Sequence, residues 1–424
     1  MLLFTKGSEN SVLSENEVKE GLFSALNKLG EKRKVLIIPP DFTRYHSKAG
    51  ELTRYVYEYY GDILTDIMPA LGTHSPMTDK EIEIMYAGIP KSLFRIHNWK
   101  EDLVTLGEVP AEFVKDVSEN KVNFSWPVQV NKLLIEEKFD LILSVGQVVP
   151  HEVIGMANYN KNIFIGTGGK ESINRSHYLG AAYGMERIMG RADTPVRKVL
   201  NFASDNIARK LPIVYIMTVI DKDENNNLII RGLFIGDEYK SFKMAADLSF
   251  KVNFELLDQP LNKVVVYLNP EEYKSTWLGN KSIYRTRMAI ADRGELIVLA
   301  PGLREFGEDK EIDRLIRKYG YLTTAEIQRK IEENEELREN LSAAAHLIHG
   351  SSENRFKITY CPGSITKDET ESVNFRYSDL DNALKKYNPD KLINGLNVLP
   401  DGEEIFYISN PALGLWACKD KFNK

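Results

Sequence analysis

Short apolar runs alternate with amphipathic stretches along almost the whole chain, and this alternation constrains the fold more than any other feature. An apolar run bounded by turn residues suits a strand buried on both faces. An amphipathic stretch between two such runs suits a helix covering a parallel sheet. Strands are expected at 35–39, 67–71, 141–145, 163–165, 213–220, 228–234, 264–268, 296–300 and 356–360. Helices are expected at 52–59, 80–86, 171–178, 282–290, 310–318 and 325–346, the last as one long Glu/Lys/Arg-rich helix with a solvated face. Thr78 followed by Glu81 forms a capping box that opens the second of these. The DKDENNN stretch at 221–227 reads as a hairpin turn.

This pattern gives an α/β fold class, with two α/β, Rossmann-like domains and the active site expected in the interdomain cleft. A proline-interrupted break at 257–262 places the first domain at 1–258 and the second at 259–395. The apolar tail, 396–424, is expected to pack back on the first domain. The chain has 424 residues, of which 43% are hydrophobic and 27% charged, enough to build packed cores. A net charge of −6 without a basic stripe argues against nucleic acid as a partner. No stretch of eighteen apolar residues and no signal-peptide core is found, so neither a membrane span nor export is expected, and the location expected is cytoplasmic. Two cysteines, Cys361 and Cys418, are too few for a disulfide framework or a cysteine-built metal site.

In open α/β sheets ligands bind beyond the carboxyl ends of the strands, so polar residues directly after strands are the candidates. Asp41 and Arg44 follow the first strand in IIPPDFTR; they suit either a local ion pair or a clamp for an anion. His74 lies in ALGTHSPMT, His151 in VGQVVPHEV, and His177 on the helix after the GTGG turn. Three histidines at comparable positions can converge on one crevice, whereas His46, His97, His346 and His349 lack this placement and read as structural. The GTGGKES turn matches neither the phosphate-loop spacing nor the dinucleotide glycine fingerprint, which disfavours an ordinary NAD-linked oxidoreductase. Its backbone N–H groups could still hold a phosphate at the helix start. In the second domain, Lys281 opens a helix, where a cation opposes the helix dipole unless it has a task.

Taken together, Asp-x-Thr-Arg at 41–44, Gly-Thr-His-x-Pro-Met-Thr at 72–78 and Pro-His at 150–151, with a lysine ten residues on and a histidine sixteen beyond that, resemble the nickel-pincer-nucleotide lactate racemase family. The resemblance implies an isomerase that inverts C2 of a 2-hydroxy acid. Its cofactor would be nickel held by pyridinium-3-thioamide-5-thiocarboxylic acid mononucleotide, attached covalently to the lysine matching Lys161. A recombinant protein would be apo unless cofactor-biosynthesis and nickel-insertion proteins act on it. The resemblance assigns the protein's nickel ligand to His177, acid–base roles to His74 and His151, cofactor contact to Asp41, and anion binding to Arg44 and Lys281. Hydride would leave C2 for the cofactor and return to the opposite face while a histidine handles the hydroxyl proton. That route avoids deprotonating a very weakly acidic C2–H beside an ionised carboxylate.

Two departures bear on the substrate. Family members tend to carry Ser-Gly-Gly before the tethering lysine, where this chain has Ala157-Asn158-Tyr159-Asn160. Many carry Tyr-Gln before the second-domain lysine, where this chain has Trp277-Leu278. Asn158, Asn160 and Trp277 are therefore expected at the substrate. Extra amides suit a polyhydroxylated acid, an aldonate of the D-mannonate or D-gluconate type, better than the methyl group of lactate. The TWLGNK stretch also resembles members labelled as sugar-acid epimerases. Racemisation of lactate or another short 2-hydroxy acid is the alternative within the class. A non-catalytic sugar-acid or phosphate-binding protein is the alternative outside it.

Overall fold

The computed structural model describes every residue except Asn226, Asn423 and Lys424. Two compact units form, Met1–Leu179 with Met189–Asn253, and Phe254–Lys424 with Gly180–Ile188. Both are mixed α/β. The boundary after Asn253 lies at the end of a helix, and the short Gly180–Ile188 segment groups with the second unit although it interrupts the first in sequence.

The first unit is built on a six-stranded sheet in the order Leu2–Gly7, Leu228–Gly236, Ile213–Lys222, Leu141–Gln147, Val35–Ile38, Leu64–Ile67. The last four strands pair in parallel, and the first two add antiparallel. Val35–Ile38 and Leu141–Gln147 are buried along their whole length, as expected for central parallel strands with both faces covered. Leu22 and Leu26 of the Glu15–Lys28 helix and Leu52 and Val56 of the Ala49–Tyr60 helix pack with Ile37, Leu143 and Ile216 in one core. Each such side chain contributes about 1.5–3 kcal/mol by leaving water. The antiparallel Ile213–Lys222 and Leu228–Gly236 pair contains the expected hairpin, although Asn226 in its turn lies outside the described residues.

Three expectations change here. The strand expected at 67–71 is Leu64–Ile67. Pro69 has no N–H to offer a ladder, so past Ile67 the bonds across are those of Met68 N–H to Ile37 O at 3.0 Å and of Ala70 N–H to Pro39 O at 2.8 Å. The strand expected at 163–165 is a single π-helical turn, Asn162–Gly166, with Ile163, Phe164 and Ile165 all buried. A three-residue apolar run carries no period that separates the two conformations. The helix expected at 325–346 is three helices, Thr324–Glu333, Glu335–Glu339 and Leu341–His349, broken where Asn334 and Asn340 leave the helical region. Its last part is not a solvated face, since Ala343 through His349 are all buried.

The second unit has its own six-stranded sheet in the order Arg376–Tyr377, Lys357–Pro362, Ile290–Ala300, Leu261–Tyr267, Glu404–Ile408, Gly395–Val398, parallel except for the last pair. This corrects the expected packing of the tail 396–424 on the first domain. Glu404–Ile408 is an interior strand of the second sheet, with Ile405, Phe406, Tyr407 and Ile408 buried, and Leu415–Cys418 pairs in parallel with Phe254–Leu257. The tail's apolar run supplies an interior strand of this sheet, paired on both sides so that its backbone N–H and C=O groups are satisfied. The helix expected at 282–290 ends at Thr286, and Ile290 already belongs to a strand.

Candidate active site

Three adjacent parallel strands of the first unit, Leu141–Gln147, Val35–Ile38 and Leu64–Ile67, point their carboxyl ends the same way, and the candidate residues follow them directly. After Val35–Ile38, the Pro39-Pro40 pair stops the ladder and Asp41 caps the short helical turn Phe42–Ser47. Asp41 is buried. Its Oδ1 accepts from the Thr43 N–H at 3.1 Å and the Thr43 hydroxyl at 2.6 Å, and its Oδ2 lies 2.5 Å from His74 Nδ1. Burial alone pushes this carboxyl up. The charge of His74 in its protonated form and its hydrogen bond, with Thr43 and Arg44 adding, more than offset that and hold it below its ordinary value. Asp41 therefore spends its oxygens on His74 and Thr43, and no Asp41–Arg44 bridge forms. Among the described residues nothing partners the buried Nη1 of Arg44.

His74 follows Leu64–Ile67 in a loop pressed against the GTGG turn. Gly72, at φ 57, donates its N–H to Gly166 O at 2.8 Å, and a Cβ on Gly166 would stand 2.6 Å from the Ala70 Cβ. The glycines of these two motifs thus exist for close backbone approach. His97 fixes the other side of the turn, its Nε2 bonding Gly168 O at 2.9 Å while Nδ1 faces Asn131 Nδ2 at 2.9 Å. The turn leads into the Lys170–Tyr183 helix, which carries His177.

His151 follows Leu141–Gln147 in a small ribbon, Pro150–His151 against Gly155–Met156. The Val153 N–H donates to His151 Nδ1 at 3.1 Å, which places the ring proton on Nε2. His74 has the opposite tautomer, with Nδ1–H given to Asp41 and Nε2 carrying the lone pair. The two histidines are thus poised as a proton donor and a proton acceptor. Glu152 lies 3.7 Å from the His151 ring.

Lys161 is half-buried, so its amine keeps a route to solvent while the surrounding protein strips most of its water. That desolvation, reinforced by the charge of Arg44, lowers its pKa to about 8. His177 is pushed down to about 4, first by desolvation, with the Lys161 charge adding, and so is neutral at pH 7. Its Nδ1–H donates to Ile173 O at 2.7 Å, leaving Nε2 as the lone-pair nitrogen. Asn158 is buried with Oδ1 accepting the Tyr159 N–H at 2.7 Å and Nδ2 unpartnered. The amide of Asn160 is fully committed instead, Nδ2 donating to Asn201 and Ser204 and Oδ1 accepting from Arg197, so it has nothing left for a substrate.

On the second unit, the Trp277 and His346 rings lie tilted at 33° with centroids 4.5 Å apart, and Lys281 is buried with its Nζ 5.6 Å from the Tyr273 ring centre. His346 is structural, taking hydrogen bonds with the Tyr284 and Tyr321 hydroxyls.

The sequence matches a family model over residues 16–187, that of the lactate racemase N-terminal domain. That stretch is similar to the N-terminal domain of lactate racemases. The whole lactate racemase-like fold is matched by a structural-genomics protein from Thermotoga maritima, at TM-score 0.83 and 26% identity, over 96% of this chain and 99% of that one. It is also matched by the lactate racemase apoprotein of Thermoanaerobacterium thermosaccharolyticum, at TM-score 0.69 and 17% identity, over 98% and 94% of the two chains, a likeness of fold. No curated protein matches significantly.

The residues of this lactate racemase-like unit fit the cofactor that the resemblance implies. A half-open, partly deprotonated Lys161 suits covalent attachment, and a neutral His177 with Nδ1 already bonded suits a metal ligand through Nε2. Among the described residues no three His, Cys, Asp or Glu side chains converge as an all-protein metal cage. Two residues near this site had no motif to announce them. Gln147 ends its strand with both amide atoms buried and unpartnered, and its one sequence signal is a polar residue closing an apolar run. Arg197, far along the chain, gave no signal at all. Among the described residues no helix is long and apolar enough to cross a membrane.

Proposed function

We propose that this chain inverts C2 of a 2-hydroxy acid, as a racemase or epimerase that uses nickel bound in a pincer nucleotide. The observation that carries the reading is the pairing of opposite tautomers, His74 as acceptor through Asp41 and His151 as donor through Val153. They lie on loops that follow two of three adjacent parallel strands, and the charges of Lys161 and His74 both act on His177. When bound, the cofactor supplies the hydride acceptor and donor. His74 Nε2 is the base that takes the proton of the substrate hydroxyl, and His151 Nε2–H is the donor that faces the substrate oxygen in the opposite orientation. Arg44, with its unpartnered Nη1, holds the carboxylate. Lys161 is the attachment point and His177 Nε2 the protein's metal ligand. Lys281 and Trp277 are proposed as further substrate contacts.

For the substrate we favour an aldonate. With Asn160 committed elsewhere, the support is Asn158 Nδ2 and the Gln147 amide, buried polar atoms that a chain hydroxyl would satisfy. A short acid such as lactate is the second reading, favoured to the extent that Asn160 is spent on Arg197. The test is a panel of 2-hydroxy acids given to protein co-expressed with cofactor-biosynthesis proteins, read by NMR in deuterated water. Inversion with a primary isotope effect from 2-deuterated substrate, and no solvent deuterium at C2, is the expected result. Exchange of C2 deuterium into water would replace hydride transfer by proton abstraction.

A further inference from the structure

Arg197 lies in the first turn of the Pro195–Phe202 helix, where Thr194 caps the Arg197 N–H at 3.2 Å. Its side chain is completely buried and forms no ion pair with a carboxylate among the described residues. Instead its fork gathers one short segment of chain. Nη1 donates to Asn160 Oδ1, and Nη2 donates to Met156 O at 2.7 Å and Asn158 O at 3.2 Å. The guanidinium also lies 4.2 Å from the Phe242 ring centre and 5.7 Å from that of Tyr159. All three acceptors fall in residues 156–160, and the next residue is Lys161.

That segment needs holding. Asn158 and Tyr159 have φ of 68° and 58°, two consecutive residues with side chains in the left-handed region. Each costs of order 1–3 kcal/mol and persists only where the surroundings impose it. Tyr159 is clamped by Phe242, stacked at 5.3 Å, and by Tyr215 at 4.3 Å. Asn160 is held from its other side by Asn201 at 2.9 Å and Ser204 at 3.1 Å. Arg197 ties these pieces together. A buried guanidinium without a counter-ion is expensive, and burial pushes its pKa down to about 10. An apolar residue would fill the same space at less cost, so the cation has a purpose that packing does not explain.

We propose that Arg197 is a positioning residue, holding segment 156–160, with Asn158 and Tyr159 left-handed, in the conformation that presents the Lys161 amine for attachment of the nucleotide. Its importance to the cell rests on the attachment reading of Lys161, but its effect is measurable in protein without cofactor. The charge of Arg197 also acts on the Lys161 ammonium in the same direction as that of Arg44.

The experiment acetylates apo protein with an N-hydroxysuccinimide ester from pH 6 to 11 and maps the products by peptide mass spectrometry, with exposed Lys367 as internal reference. Arg197→Lys keeps the charge but loses the fork. It is expected to lower the Lys161:Lys367 rate ratio about fivefold or more while leaving the Lys161 midpoint in place. Arg197→Met is expected to lower the ratio and raise the midpoint. Asn160→Ala, with Arg197 intact, is expected to give a smaller fall. Ratios and midpoints equal to wild type in the folded variants would overturn the proposal. So would unfolding of all three, which would make Arg197 a stability element of the core. Unmodified Lys161 in fully active holoenzyme would instead overturn the attachment reading and leave these ratios as measured.

Discussion

His74 Nδ1 lies 2.5 Å from Asp41 Oδ2, and the other oxygen of Asp41 is held by two bonds from Thr43. The carboxylate therefore cannot turn away, and it fixes both the tautomer and the plane of the imidazole. Asp41→Asn keeps the shape but offers an amide where an acceptor is needed, so His74 would flip its proton to Nε2. The loss expected in epimerisation is 10²–10⁴-fold, about that of His74→Ala. Steady-state rates on the two epimers check it, and near-wild-type rates for Asp41→Asn would remove Asp41 from the mechanism.

Lys161 has a signed effect on stability. Its pKa is about 8 in the folded protein against 10.5 when exposed, so at pH 7 the fold carries a dried ammonium that the unfolded chain hydrates freely. Stability then rises with pH from about 8 to 10.5, where the unfolded chain binds more protons. Lys161→Met is expected to stabilise the apo protein by about 2 kcal/mol at pH 7, a figure reduced for the solvent that still reaches the side chain. The gain should fade by pH 10.5. Urea melts at the two pH values measure it.

His97 is buried and neutral, pushed down to about 4 by burial, with both ring nitrogens bonded. Asn131 Oδ1 already accepts the Leu133 N–H at 2.9 Å, so the amide cannot reverse to accept from a protonated ring. A lowered pKa on a histidine means stability lost as pH falls from about 6.5 towards 4, at most about 3 kcal/mol. His97→Asn should cost stability at pH 7 and flatten this acid limb. An unchanged limb would assign it to other groups.

His177→Ala is expected to leave the fold intact and lower nickel content after loading, since Nε2 is the lone-pair nitrogen facing away from Ile173. Metal analysis of the purified variant decides it, and full nickel occupancy would move the ligand elsewhere.

Gly166→Ala would drive a methyl group to 2.6 Å from the Ala70 Cβ and part the loop of His74 from the turn before His177. A loss of about 1–3 kcal/mol is expected, typical of overpacking, together with a fall in rate larger than the fall in substrate affinity. Calorimetry and steady-state kinetics check the two halves.

The apolar runs at 35–38 and 141–145 and the motifs after them were legible in the sequence because their determinants are local. Continuous burial requires unbroken apolar stretches, and Pro39-Pro40 and the glycines of GTH and GTGG are demanded by backbone geometry within a few residues. His74 and His151 could be named because each lies on a loop after a strand, and His177 because it lies on the helix after the glycine turn, whereas Lys161 was named by the spacing of the family resemblance. What each polar side chain does with its atoms was not local. Asn160 looked available for substrate until Arg197, thirty-seven residues on, took its oxygen, and Asp41 could have paired with Arg44 until the loop after Leu64–Ile67 brought His74 to it. The place of the tail was equally hidden, because an apolar strand fits any sheet with an open position, and only pairing with Leu261–Tyr267 decided which. Sequence by itself determined the α/β elements and the residue types of the site, through periodicity and backbone sterics. Tertiary structure alone decided tautomers, charge states and which buried amides remain unspent, because those depend on partners distant in the chain and on how much water each group keeps.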